Sequence, residues 1–143
     1  VMERTNIRYV TPEQLGEPLD LSVVDVSFIS LKLVLPVIKN LLKPTGQVLC
    51  LIKPQFEAGK DKVGKKGVVR EKSTHKEVLD NFVALADELQ FKILGLTFSP
   101  VKGPEGNIEF LAHLTLDDAD GIRPDTALVV ESAHQTLDKG ENS

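Results

Sequence analysis

Three apolar runs in the chain each meet a single charged group at one end. In Ser22-Val23-Val24-Asp25-Val26-Ser27-Phe28-Ile29-Ser30, β-branched residues lead into a lone carboxylate and then a polar turn. This pattern predicts a strand buried on both faces, the usual state in a parallel sheet. Asp25 then sits near the strand's carboxyl end, the edge where open α/β sheets bind ligands. Val48-Leu49-Cys50-Leu51-Ile52-Lys53-Pro54 has the same form and ends in Lys53, the predicted strand covering residues 47–53. In Gly106-Asn107-Ile108-Glu109-Phe110-Leu111 a glutamate opens the apolar strand instead.

Between these runs the period changes from two to about 3.6. Apolar residues at 31, 34, 35, 38, 41 and 42 form one stripe and predict a helix from Ser30 to Leu42, with Ser30 as its cap. Pro36 should kink that helix or shift its start, and Lys43-Pro44-Thr45-Gly46 should stop it. A second helix is expected from Ser73 or Thr74 to about Gln90, with Val78, Leu79, Phe82, Leu85, Ala86 and Leu89 on its apolar face. Residues 91–98 read as a strand. Residues 108–116 read as another, antiparallel to it because the connection is too short for a crossover. A C-terminal helix is expected from Arg123 onward, with Val129, Val130, Ala133 and Leu137 inward. Upstream, Thr11-Pro12-Glu13-Gln14-Leu15 has the grammar of a short helix start. The order strand, helix, strand, helix, strand, strand, helix predicts the second half of a doubly wound α/β sheet with a hairpin at one edge. No repeat or internal boundary divides residues 1–143.

Composition narrows the reading. The 143 residues include only 5% aromatics and no Trp, so the core must be aliphatic. Net charge is −4, which excludes bulk basicity as a sign of nucleic-acid binding. The charge is unevenly placed, however. Eight of the 17 basic residues fall between Lys53 and Lys76, while the tail from Asp117 is mostly acidic. The single cysteine, Cys50, allows no disulfide within the chain and suits a reducing, cytoplasmic location. No apolar run approaches the roughly 20 residues of a membrane span, so no membrane partner is expected. The abrupt start at Val1-Met2-Glu3 gives the expectation that the sequence is a piece of a longer chain.

If the three strands lie side by side, Asp25, Lys53 and Glu109 converge at one rim. Each residue also has a plainer reading: Asp25 as a helix cap, Lys53 as a solvated strand end, Glu109 as a solvent-facing side chain. Lys53 is the hardest to dismiss, because burial would lower its pKa while neighbouring carboxylates would raise it. A lysine tuned in that way serves as a base or as a hydrogen-bond donor to a reacting oxygen. The long segment from Pro54 to Lys72 contains Gly59, Gly64 and Gly67 and has the length of a functional loop. Its Lys60, Lys62, Lys65, Lys66 and Arg70 are candidates to touch phosphates, or else solvated surface. His75, His113 and His134 lack metal-ligand spacing and read as surface or helix residues, Cys50 reads as core, and no metal is expected. Gly103-Pro104-Glu105-Gly106 lacks the Lys-Ser/Thr end of a phosphate loop.

Asp25-Val26-Ser27-Phe28-Ile29-Ser30-Leu31, Leu51-Ile52-Lys53-Pro54-Gln55-Phe56-Glu57 and Gly103-Pro104-Glu105-Gly106-Asn107-Ile108-Glu109-Phe110 resemble, in that order, motifs of the hemolysin-A or TlyA family. Its methyltransferase domain is of the FtsJ (RrmJ) type, and the resemblance covers essentially the whole chain. It implies a Rossmann-like methyltransferase fold, S-adenosyl-L-methionine as cofactor, and 2′-O-methylation of ribose in ribosomal RNA, with ribosomal RNA or ribosomal subunits as partners. By motif match, Asp25, Lys53 and Glu109 would be the last three members of the family's Lys-Asp-Lys-Glu set. Glu3, Asn6 and Asp25 would border the cofactor. The first lysine of the set, the methionine-binding glycine loop and the family's RNA-binding module have no counterpart in these residues. That departure leaves a catalytically inactive RNA-binding module as an alternative, beside the membrane-active reading that the hemolysin label suggests. A sheet edge left open invites pairing between chains, so a homodimer is a further expectation.

Overall fold

The computed structural model describes residues 19–24, 31–57, 68–103, 106–118 and 120–137. Its four strands are β1 (Leu19–Val24), β2 (Leu42–Ile52), β3 (Lys92–Phe98) and β4 (Phe110–Thr115). Its helices are α1 (Leu31–Leu41), α2 (Pro54–Glu57), α3 (Lys72–Glu88) and α4 (Thr126–Leu137). The short helix expected at Thr11–Leu15, the Ser30 cap, and Glu3, Asn6, Asp25, Lys60, Lys62, Lys65 and Lys66 lie outside the described residues.

The sheet order is β1-β2-β4-β3. β1 and β2 are parallel, and β4 is antiparallel to both β2 and β3. The expected hairpin is therefore present, with β4 placed inside the sheet so that β1, β2 and β4 are consecutive neighbours. This is what brings three distant stretches of sequence to one place.

One face of the sheet is packed. Val24, Val48, Cys50, Ile52, Phe110, Ala112, Leu114 and Ile93 alternate along their strands and fall in a single buried cluster. The same cluster holds Leu31, Val34, Leu35 and Ile38 of α1, Val78, Leu79, Phe82 and Ala86 of α3, and Val130 and Ala133 of α4. Each of the larger side chains contributes roughly 1.5–3 kcal/mol by leaving water.

The other face differs from expectation. Val23 and Leu21 are each 51% exposed, and Leu49 is 42% exposed. The stretch around Asp25 therefore does not form a strand buried on both faces. Apolar residues stand on both sides of β1, but among the described residues the helices pack against only one of them. A β-branched run cannot show which side is covered, because its pattern is the same either way.

Helix ends also depart from the sequence reading. α3 begins at Lys72, with Glu71 in the cap position and no side-chain cap bond, and Thr74 is buried rather than capping. Pro36 lies within α1, which runs unbroken from Leu31. The Lys43-Pro44-Thr45-Gly46 signal does end the helix, but the chain passes directly into β2. The register of β1 on β2 shifts there, with Leu19 opposite Leu42 and Leu21 opposite Gln47. Thr126 Oγ1 at the start of α4 donates to Asp80 Oδ1 at 2.6 Å, and Lys76 Nζ donates to Asp80 Oδ2 at 2.7 Å. Partial burial pushes the Asp80 carboxyl up, but these two hydrogen bonds outweigh it and hold the group below its ordinary value.

Candidate functional site

The site is built where β2 ends and β4 begins. The two strands run antiparallel with Ile52 opposite Phe110, so Lys53, the residue after Ile52, and Glu109, the residue before Phe110, lie at the same rim. β1 runs parallel to β2 with Val24 opposite Cys50, so its carboxyl end reaches this rim as well. Asp25 is the next residue in sequence and lies outside the described residues. Of the three candidates, the topology brings Lys53 and Glu109 together.

Lys53 is half-buried. Its carbonyl accepts from the Phe56 and Glu57 N–H groups at 2.9 and 3.1 Å, which turns the chain sharply out of β2 into α2. Pro54 at the first position of α2 has no N–H to leave unpaired. The segment read from sequence as part of a loop thus opens with a helical turn, and that turn places two polar side chains. Glu57 Oε1 accepts from the Leu31 N–H at 2.7 Å, setting a carboxylate at the amino terminus of α1, where the helix dipole favours negative charge. Gln55 Nε2 donates to Glu109 Oε2 at 2.9 Å.

Glu109 is only 7% exposed. The Gly103 backbone closes against its carboxylate so tightly that a Cβ at Gly103 would collide with both carboxyl oxygens. Glu109 therefore joins the buried polar cluster and does not face solvent. The turn leading to it is held by Gly106 N–H on Gly103 O at 3.1 Å and Gly103 N–H on Asn107 O at 2.7 Å, with Gly106 at φ 84°, a conformation that favours glycine. Gln55 Oε1, by contrast, is buried with no hydrogen-bond partner. An unmet buried acceptor costs roughly 1–3 kcal/mol.

A second polar group braces the rim from behind. Asn107 is 1% exposed, and its Oδ1 accepts from the Val69 N–H at 2.9 Å. The Val69 carbonyl lies 3.0 Å from His75 Nε2, and His75 Nδ1 lies 2.7 Å from His134 Nε2. A carbonyl only accepts, so His75 carries a proton on Nε2, and in the neutral ring its Nδ1 accepts from His134 Nε2. His75 also meets the edge of Phe110, with ring centroids 5.7 Å apart. Both are helix residues, His75 in α3 and His134 in α4, but neither is a surface residue: both are buried, and they join α3 to α4. Their separation of 59 in sequence gave no spacing signal. Gln55, Glu57 and Asn107 were likewise missed as site residues, although all three lie inside the motifs picked out in the sequence.

The remaining candidates fall outside this constellation. Arg70 is exposed near the end of the basic segment. His113 lies within 2.7 Å of Gln47 on the less covered face of the sheet. Cys50 is buried as expected, and its thiol is pushed up to about 12, first by burial and then by the charge of Glu57. A cavity of about 380 Å³ lies between α1 and α3, lined in part by Leu31, Ile52, Glu57 and Phe82, and neither Lys53 nor Glu109 is among the residues around it. Among the described residues no three His, Cys, Asp or Glu side chains gather to hold a metal ion, and no helix is long and apolar enough to cross a membrane.

Comparison with known proteins gives a consistent result. Residues 1–116 match the family model described as FtsJ-like methyltransferase. The chain is 46% identical over 144 residues to Bacillus subtilis YqxC, which carries a provisional rRNA methyltransferase name, covering 96% of this chain and 51% of that protein. It is 41% identical over 114 residues to the 16S/23S rRNA (cytidine-2′-O)-methyltransferase TlyA of Mycobacterium tuberculosis, covering 80% of this chain and 42% of that protein. A solved Streptococcus thermophilus protein with a provisional hemolysin name superposes with a TM-score of 0.90 at 44% identity, covering 99% of this chain and 52% of that one. The chain thus spans about half the length of the curated relatives it matches.

Proposed function

Because the chain belongs to the FtsJ-like methyltransferase family, we propose that its β1-β2-β4 rim takes part in S-adenosyl-L-methionine-dependent 2′-O-methylation of ribose in ribosomal RNA. The observation that carries this reading is the placement of Lys53 and Glu109 at one rim by antiparallel pairing of β2 with β4, beside the carboxyl end of β1. Residues 1–143 would form one partial domain of this type, working in the cytoplasm on ribosomal RNA or a ribosomal subunit.

The rim is rich in acceptors, namely the Glu109 carboxylate and the unmet Gln55 oxygen, which suits ligands bringing positive charge and hydrogen-bond donors. Glu3, Asn6 and Asp25 would border the cofactor. S-adenosyl-L-methionine, when bound, supplies an electrophilic methyl group on a sulfonium. The work left to the chain is to hold and deprotonate a poor nucleophile. Lys53 would hydrogen-bond to the ribose 2′-oxygen and receive its proton. Asp25 would orient the Lys53 amine and stabilise its charge. Glu109, locked between Gln55 and Gly103, would fix the far side of the network. Alignment of the reacting groups would supply much of the rate. Lys60, Lys62, Lys65, Lys66 and Arg70 would meet RNA phosphates, and such contacts weaken as salt rises.

The test is Lys53→Ala in the intact protein, read as transfer of labelled methyl to ribosomal RNA. Loss of a positioned acid–base group should lower the rate about 10²–10⁴-fold. Near-normal transfer would exclude the role given to Lys53.

A further inference from the structure

Helix α2 has only four residues, too few to be stable by itself, because forming a first helical turn is unfavourable. Its shape must come from the groups to which it is tied. At its base the Phe56 and Glu57 N–H groups donate to the Lys53 carbonyl at 2.9 and 3.1 Å. On the β4 side Gln55 Nε2 donates to Glu109 Oε2 at 2.9 Å. On the α1 side the tie is Glu57, whose Oε1 accepts from the Leu31 N–H at 2.7 Å across 26 positions of sequence. That N–H opens α1, and the first amides of a helix have no acceptor within it. A carboxylate there makes a charge-assisted bond and faces the positive end of the helix dipole. The anchor is firm, since Leu31 is 3% exposed and belongs to the core cluster with Val34, Leu35 and Ile38 of the same helix. The Glu57 charge also acts on the Cys50 thiol, which sets the carboxylate close to β2 as well as to α1. One short element is thus held from both sides, and Lys53 stands at its start. Without the Glu57 tie, α2 would turn about its remaining bonds and carry the Lys53 backbone with it.

Resting on the reading of Lys53 as the group that receives the ribose proton, we propose that Glu57 is a positioning residue, which sets Lys53 against Glu109 by tying α2 to the amino terminus of α1. It acts through the backbone of α2 and not on the reacting atoms.

Two substitutions separate reach from charge. Glu57→Gln keeps the length and an acceptor oxygen and gives up the charge. Glu57→Asp keeps the charge and is one methylene too short for the Leu31 N–H. Hydrogen exchange in the intact protein reads the tie itself. In Glu57→Asp the Leu31 and Phe56 amides should lose protection about tenfold, the worth of one hydrogen bond, while amides in the middle of α3 keep theirs. In Glu57→Gln they should stay within about threefold of wild type, the loss of the charge at the helix end. Methyl transfer to ribosomal RNA, counted per folded molecule, reads the consequence. In Glu57→Asp kcat should fall about tenfold to a hundredfold with KM for the RNA unchanged, and Glu57→Gln should recover most of it. The opposite order, with Asp active and Gln impaired, would assign the role to the charge and overturn the proposal. So would two variants that behave alike, or protection lost in Glu57→Asp with kcat intact. A wild-type protein that transfers no methyl sinks the reaction alone, and the exchange measurement then decides whether Glu57 sets the Lys53 turn.

Discussion

Asn107→Ala gives the sharpest test of how the rim is braced. The substitution removes the Oδ1 atom that receives the Val69 N–H at 2.9 Å. Both residues are almost fully buried, Asn107 at 1% and Val69 at 2% exposure, so no water stands ready to replace the lost acceptor. The Val69 N–H is then an unpaired buried donor, at a cost of roughly 1–3 kcal/mol. Taking about 2 kcal/mol, the folded-to-unfolded ratio should fall about 30-fold. Urea unfolding of the purified chain should show that loss as a lower midpoint with unchanged slope. Hydrogen exchange adds a local readout: the Val69 amide should lose protection beyond the amides in the middle of α3, because its own acceptor is gone. A stability change under about 0.5 kcal/mol, with Val69 still protected, would show that another group takes over the N–H and would refute the reasoning.

The Gly103 contact predicts that Gly103→Ala drives the Glu109 carboxylate off Gln55, lowering stability by roughly 1–3 kcal/mol in urea melts, and an unshifted midpoint would mean that Glu109 has another resting place. Asp80 predicts a pH dependence. Its carboxyl is held below its ordinary 3.8 in the folded chain, so the stability it lends is present above that value and is lost as pH falls through the lower folded value. The stability gap between wild type and Asp80→Asn in urea melts should therefore be full near neutrality and shrink below about pH 4, and a gap that widens on acidification would contradict the sign.

The sequence by itself determined the kinds of element, their order and the charged group at the end of each key strand. These are local properties. A period of 3.6 or 2, a proline or a glycine acts through the nearest few residues, so α1, α3, β3 and β4 could be located closely. The three motifs also carried the family resemblance, because they hold the residues at the strand ends. What the chain alone could not settle was set by pairing across the sheet. That β4 enters between β2 and β3, placing Glu109 beside Lys53, depends on hydrogen bonds between strands more than 50 residues apart in sequence. That Val23 is half exposed depends on the described helices gathering on one face, which an apolar run cannot signal. Gln55 and Asn107 look like ordinary polar residues in a motif until the fold brings Glu109 and Val69 to them. His75 and His134 became a buried pair only when α3 and α4 packed together. Periodicity records what a residue does to its neighbours in the chain, whereas a buried polar group is fixed by whichever distant group satisfies it, and that choice exists only in three dimensions.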